Sequence, residues 1–286
     1  MSKTKIFSNT ATQHLFNAIK NPDLKAMKRD LIVQTFSDGE IAIEFPDSIR
    51  GYDIFILGDT SKNLTELLFT IDAAHRASVK SITVVLPYYG YGRQDRKGGE
   101  RINIGAKVMA KVLEDFKVDR ILTIDLHASQ IEGFFNIPVE HLKGKSIFIP
   151  AIKEEIFLNS KSKIKYVGAA PDAGGGKRTK SYTDELGWAK VTMDKTRDKA
   201  NSVDKMELMG NVKGCEVWIF DDMGDTLGTV CKAATKLKQE GAKVVKAVFT
   251  HGILSGNAFK EMVKFIDSLY NAYIGSDASM FEINPV

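Results

Sequence analysis

The sequence predicts an α/β fold of mostly parallel sheets with helices on both faces, divided into two domains. Three observations carry this. Short β-rich runs alternate with segments of helical apolar spacing along most of the chain. At 286 residues the chain is long for one domain and comfortable for two of roughly 140 each. The polar clusters follow the apolar runs, where the ligands of open α/β sheets bind.

The elements read in order. LIVQTF (31–36), IAIEF (41–45), DIFILG (53–58), SITVVLP (81–87) and RILTIDLH (120–127) read as strands. LTELLFTIDAAHRAS (64–78) and NIGAKVMAKVLEDF (103–116) have helical periodicity. In the second half IKYVGAAPD (164–172), AKVTMDK (189–195), CEVWIFDD (215–222) and AKVVKAVFTHG (242–252) read as strands. Helices follow the glycine turn at 174–176, the loop before TVCKAATKLKQ, and begin again near 256–266. TRDKANSVDK (196–205) has no apolar rhythm and reads as a mobile loop. The boundary falls near GKSIFIP, giving domains 1–147 and 148–286. The common order of elements suggests a structural duplication without a clear sequence repeat.

Composition narrows the class. Forty basic and 36 acidic residues leave a net charge of +4, too mild and dispersed for a nucleic-acid footprint. Cys215 and Cys231 offer neither metal spacing nor a disulfide framework. No run approaches the length of a membrane span, and MSKTKIFSNT lacks the apolar core of a signal peptide. The expectation is a cytoplasmic protein that binds neither nucleic acid nor membrane.

The most informative stretch is VWIFDDMGDTLGT, 217–229. An apolar run ends in Asp221 and Asp222, and a loop of small and hydroxyl residues then feeds a helix. Such a loop offers backbone N–H groups and the positive end of the helix dipole to a phosphate. The carboxylates repel phosphate but accept hydrogen bonds from sugar hydroxyls, so acids and loop together suit a ribose carrying a 5-phosphate. The plainer alternative is an acidic turn capping a helix. Asp125, His127, Asp172, Lys195 and His251 also follow apolar runs.

FSDGE (36–40), YYGYGRQDRKGGERINIGAK (88–107), DLHASQIEGFF (125–135), PDAGGGKR (171–178), DKTR (194–197), FDDMGDTLGT (220–229) and THGILSGNA (250–258) resemble, in the same order, motifs of the ribose-phosphate pyrophosphokinases. The resemblance implies two phosphoribosyltransferase-like domains. It also implies transfer of the β,γ-diphosphoryl group of Mg-ATP to the anomeric hydroxyl of ribose 5-phosphate, giving phosphoribosyl pyrophosphate and AMP. Carried over by position, Asp221 and Asp222 hold the ribose hydroxyls, and Asp225, Thr226, Gly228 and Thr229 wrap the 5-phosphate. His127 and Asp172 hold Mg2+ directly or through waters. Arg93 and Gln94 reach ATP. Lys195 and Arg197 match a mobile catalytic loop, which with His127 forms the catalytic set. Phe36, Asp38 and Glu40 match a segment that recognises adenine from a neighbouring subunit, implying a homo-oligomer built from dimers, with a hexamer among the options.

Two departures from the family pattern stand out. Relatives carry a bulky aliphatic residue at position 224 and Gly or Ala at 227, where this chain has Gly224 and Leu227. That exchange adds a side chain to the phosphate cradle and raises an alternative acceptor, ADP-ribose, whose pyrophosphorylation would serve NAD+ resynthesis. Relatives also run some 30 residues further, which puts feedback inhibition by ADP in doubt. A type I phosphoribosyltransferase would lack the RQDR, DLHA and DKTR segments. A catalytically silent regulatory homologue would have no need of Lys195, Arg197, His127 and Asp172 together.

Overall fold

The apolar runs become the central strands of two separate five-stranded sheets. The computed structural model describes residues 3–159, 164–196 and 205–263. The chain divides into two units, Met1–Gly144 and Lys145–Val286.

In the first unit the elements are β1 (Thr4–Ser8), α1 (Gln13–Ala18), α2 (Pro22–Met27), β2 (Ile32–Thr35), β3 (Ile41–Glu44), β4 (Asp53–Leu57), α3 (Leu64–Arg76), β5 (Ser81–Leu86), α4 (Gly105–Asp115), β6 (Arg120–Ile124) and β7 (Val139–Leu142). The main sheet has the order β1-β4-β5-β6-β7, with every pairing parallel. Its core follows from helical spacing: Leu67, Ile71 and Ala74 of α3, and Ala106, Ala110 and Leu113 of α4, are all buried with Ile54, Ile56, Ile82, Val84, Leu86 and Ile121 of the strands. Truncating Leu67 to alanine there would cost about 2–5 kcal/mol. Strands β2 and β3 form their own antiparallel pair, a hairpin closed by Phe36 N–H donating to Glu40 O at 2.8 Å. Gly39 takes φ 91° in its turn.

The second unit contains α5 (Lys145–Asn159), β8 (Tyr166–Ala170), α6 (Gly176–Leu186), β9 (Ala189–Thr196), β10 (Lys205–Met209), β11 (Glu216–Gly224), α7 (Gly228–Gln239) and β12 (Val244–Gly252). The sheet order is β10-β9-β8-β11-β12, parallel except for the antiparallel edge pair β10–β9. Strand β11 shows why its sequence is continuously apolar. Val217 and Ile219 pack with Ala233, Ala234 and Leu237 of α7, while Trp218 and Phe220 pack with Ile149 and Ile152 of α5 and Tyr182 of α6. Alternate residues thus face opposite layers, both covered by helices. The Tyr182 and Phe220 rings stack at 4.3 Å between centroids.

Some elements differ from the sequence reading. GKSIFIP, near which the boundary was placed, lies mostly within α5, which runs through Pro150. Strands β1, β7 and β10 appear where no strand was expected. Of the loop expected at 196–205, residues 197–204 lie outside the described residues, as does the C-terminal MFEINPV. The helix expected near 256–266 is helical over 258–263, where the description ends. Among the described residues no helix is long and apolar enough to cross a membrane.

Candidate active site

Strands β8, β9 and β11 are parallel neighbours, so their carboxyl ends share one edge of the second sheet. The β11–β8 register ends at Ile219↔Ala169, whereas β11–β12 continues to Gly224↔Gly252. Asp221 and Asp222 therefore project past the last rung with β8. Their environments differ. The Asp222 side chain is 4% exposed and accepts from Arg178 Nη1 at 3.1 Å; that of Asp221 is 22% exposed, with the same nitrogen at 3.4 Å. The Asp222 N–H also donates to Asp221 Oδ1 at 2.9 Å. Burial, followed by the adjacent Asp222 carboxylate, pushes the Asp221 carboxyl up to about 7, against the opposing pull of Arg178.

Arg178 is the residue that sequence reasoning missed. It lies in the first turn of α6, where a cation opposes the helix dipole. That misfit was the available signal. The guanidinium makes sense there because it meets two strand-end acids.

The loop after β11 ends at Leu227, the N-cap of α7, with φ 61° and no side-chain cap. The first-turn N–H groups of α7, from Gly228 and Thr229 onward, thus face a loop without a capping side chain, as an anion site requires. Asp225 accepts from Ser255 Oγ, and Leu254 N–H donates to Gly224 O at 2.9 Å, bracing the loop. Leu227 does not line the cradle as expected. Its side chain is in the core at 7% exposure, and its Cδ2 lies 3.0 Å from where a β-carbon on Gly224 would sit. The exchange at 224 and 227 is a volume swap inside the fold.

Asp172 follows β8, is exposed, and accepts Gly175 N–H at 2.8 Å through Oδ1. Lys195 lies in β9 opposite Met206; its side chain, and all of Arg197, lie outside the described residues.

In the first unit, Arg93 and Gln94 follow β5 and His127 follows β6, again at the ends of adjacent parallel strands. A β-carbon on Gly92 would stand 3.8 Å from His127 Cβ, and Gln130 Nε2 donates to Asp95 Oδ2 at 2.9 Å, so the two loops touch. Gln94 is fixed by Asn103 Nδ2 at 2.9 Å and by Ala106 N–H donating to its backbone O at 3.2 Å. Arg93, Gln94 and His127 are exposed. Phe36, 46% exposed, with Asp38 and Glu40, stands at the tip of the separate hairpin rather than on this sheet end.

Among the described residues no group of three or more His, Cys, Asp or Glu could enclose a metal. Mg2+ rarely uses such a cage: it keeps waters and takes one or two carboxylates with phosphate oxygens. The exposed Asp172 carboxylate fits that habit directly, and the His127 nitrogen fits it through water.

A family model described as the N-terminal domain of ribose phosphate pyrophosphokinase matches residues 4–116. A second, described as a phosphoribosyl synthetase-associated domain, matches residues 169–269. Ribose-phosphate pyrophosphokinase of Helicobacter pylori is 43% identical over 262 residues, covering 90% of this chain and 80% of that protein. The Porphyromonas gingivalis protein of the same name is 42% identical over 275 residues, covering 92% and 86%. The crystal structure of phosphoribosylpyrophosphate synthetase from Mycobacterium smegmatis superimposes with a TM-score of 0.82 at 33% identity, covering 91% of this chain and 85% of that one.

Proposed function

The chain belongs to the ribose-phosphate pyrophosphokinase family, and on that premise we propose that it moves the diphosphoryl group of ATP onto the anomeric hydroxyl of ribose 5-phosphate, giving phosphoribosyl pyrophosphate and AMP. The observation that carries this reading is the acid pair Asp221 and Asp222, set by Arg178 one loop before the α7 N-terminus. A ribose 5-phosphate needs acceptors for its hydroxyls and donors for its phosphate, in that order along the chain.

In this reading Asp221 and Asp222 accept from the ribose hydroxyls, and Arg178 holds the pair in place. Asp225, Thr226, Gly228 and Thr229 surround the 5-phosphate with hydroxyl and backbone donors. Arg93 and Gln94 reach ATP. Lys195 and Arg197 stabilise charge on the moving group and exclude water, because diphosphoryl transfer depends on alignment and charge more than on a strong base. Asp172, and His127 through water, would hold Mg2+, which supplies charge neutralisation when bound with ATP. Phe36 stacks on adenine, with Asp38 and Glu40 accepting from its amino group, at the site of a neighbouring copy in a dimer-based homo-oligomer working in the cytoplasm.

Ribose 5-phosphate is the acceptor in this reading, supported by the likeness to proteins named ribose-phosphate pyrophosphokinase and by the burial of Leu227, which keeps its bulk out of the solvent. Incubating the purified protein with Mg2+, ATP and both acceptors in competition, then identifying the pyrophosphorylated product by mass, tests the reading. Product from ribose 5-phosphate with AMP release is expected, lost in Lys195→Ala at unchanged circular dichroism. Preference for ADP-ribose overturns the acceptor. No AMP with either acceptor overturns the enzyme reading in favour of a silent homologue.

A further inference from the structure

We propose that His141 is a positioning residue for His127, its ring tying together the two ends of the turn that carries His127. The proposal rests on the reading of His127 as part of the nucleotide and Mg2+ site. The β6–β7 ladder ends at Ile124↔Leu142, with Asp125 N–H donating to Leu142 O at 3.0 Å. Beyond that rung the chain turns sharply, Asp125 taking φ 41°, and the next N–H is that of Leu126. A buried strand-end N–H needs an acceptor. His141, on the edge strand β7, supplies one: its Nε2 accepts Leu126 N–H at 2.9 Å.

The other ring nitrogen faces the far end of the same turn. His141 Nδ1 contacts the carboxylate of Glu132, in the short helical turn Ser129–Phe134. A backbone N–H only donates, so the hydrogen-bond network assigns the lone pair to Nε2 and the ring proton to Nδ1, where Glu132 accepts it. Lys143 Nζ, a donor only, lies 2.9 Å from both nitrogens, and with the proton on Nδ1 it can share only the Nε2 lone pair. Gly144 N–H donates to Asp125 Oδ2 at 3.0 Å, fixing the start of the turn from the same strand end. The ring itself is 5% exposed. An aliphatic side chain would fill that space equally well. A ring with one acceptor and one donor, each aimed at an end of the segment bearing His127, does what packing alone does not require. Groups that orient a reacting side chain in this way are worth tenfold to a hundredfold, about as much as ligands' own supports.

The test compares wild type, His141→Leu and His141→Gln by hydrogen exchange over residues 125–132, by kcat, by the Mg2+ concentration for half-activation and by KM for ribose 5-phosphate. Gln retains a carbonyl for Leu126 N–H and an amide for Glu132; Leu retains only volume. Faster exchange, roughly tenfold or more loss of kcat and a matching rise in the Mg2+ requirement are expected for Leu, with KM for ribose 5-phosphate unchanged. Gln should stay within about threefold of wild type. If Leu does not fold, Glu132→Ala, altered at an exposed carboxylate, must speed exchange over the same residues. Unchanged exchange in either variant overturns the tie, and unchanged kcat and Mg2+ requirement in Leu overturn the positioning role. Equal losses in Leu and Gln, or a parallel rise in KM for ribose 5-phosphate, also overturn it by showing a merely structural effect. An inactive wild type would instead overturn the function reading, while the exchange arm would still judge the tie.

Discussion

Leu227 Cδ2 lies 3.0 Å from the point where a β-carbon on Gly224 would sit, and the Phe249 ring comes within 2.9 Å of the same point. A side chain at position 224 would therefore compete with both Leu227 and Phe249 for the same buried space. This chain fills it from 227 and accepts a left-handed leucine, φ 61°, to do so.

Gly224→Val alone should overpack the site and destabilise by about 1–3 kcal/mol. Leu227→Gly alone should open a cavity costing about 2–5 kcal/mol, offset by about 1 kcal/mol as the positive φ is relieved. The double variant should recover part of both losses, because the Phe249 ring still crowds position 224. Urea unfolding of all four proteins measures the coupling, expected at about 1–3 kcal/mol. Additive losses would show that the two side chains do not share the space.

Arg178 meets a carboxylate that is almost wholly enclosed, so removing it strands that charge. Arg178→Ala should cost about 3 kcal/mol of stability, and it should raise KM for ribose 5-phosphate more than KM for ATP. Arg178→Lys keeps the charge but loses the planar donor set, and should fall between. Equal effects on both KM values would detach Arg178 from the sugar site.

Asp221 gives the site a pH dependence. Its carboxyl is raised from the ordinary 3.8 to about 7 by burial and by Asp222, so between those values the folded protein holds a proton that the unfolded chain has released. Stability should therefore fall as pH rises from about 4 to about 7 and level off above, by at most about 4 kcal/mol. Denaturation at pH 5 and pH 8 should show this in wild type and not in Asp221→Asn. An equal slope in both proteins would assign the titration elsewhere.

Both faces of β11 are covered, so its apolar run was legible, and so were the acids and the small-residue loop that follow it. The short edge strands were not. TKIFS and VEHL mix polar with apolar residues and become strands only by pairing with β4 and β6. Helix α5 was hidden because Pro150 argues against a helix interior, yet the helix is held by Ile149 and Ile152 in the aromatic core. Arg178 left only the faint signal of a cation in a first helical turn, and His141 left none: Arg178 meets acids more than forty residues away, and His141 joins Leu126 and Glu132, which lie outside its own strand.

Gly105 opens α4 where Gln94 comes closest. A β-carbon there would stand 2.5 Å from Gln94 Oε1, 3.1 Å from its Cδ and 3.2 Å from Tyr91 Cβ, so the amide would have to swing off Asn103. Stability should change by less than about 1 kcal/mol in Gly105→Ala, because alanine favours the helix that glycine weakens. Nucleotide binding should suffer, since Gln94 loses its orientation: KM for ATP is expected to rise about threefold to tenfold, on the order of 1 kcal/mol. KM for ribose 5-phosphate should hold, because the sugar acids belong to the second unit. Steady-state kinetics with each substrate varied in turn separates the two, and an unchanged KM for ATP would remove Gln94 from the nucleotide site.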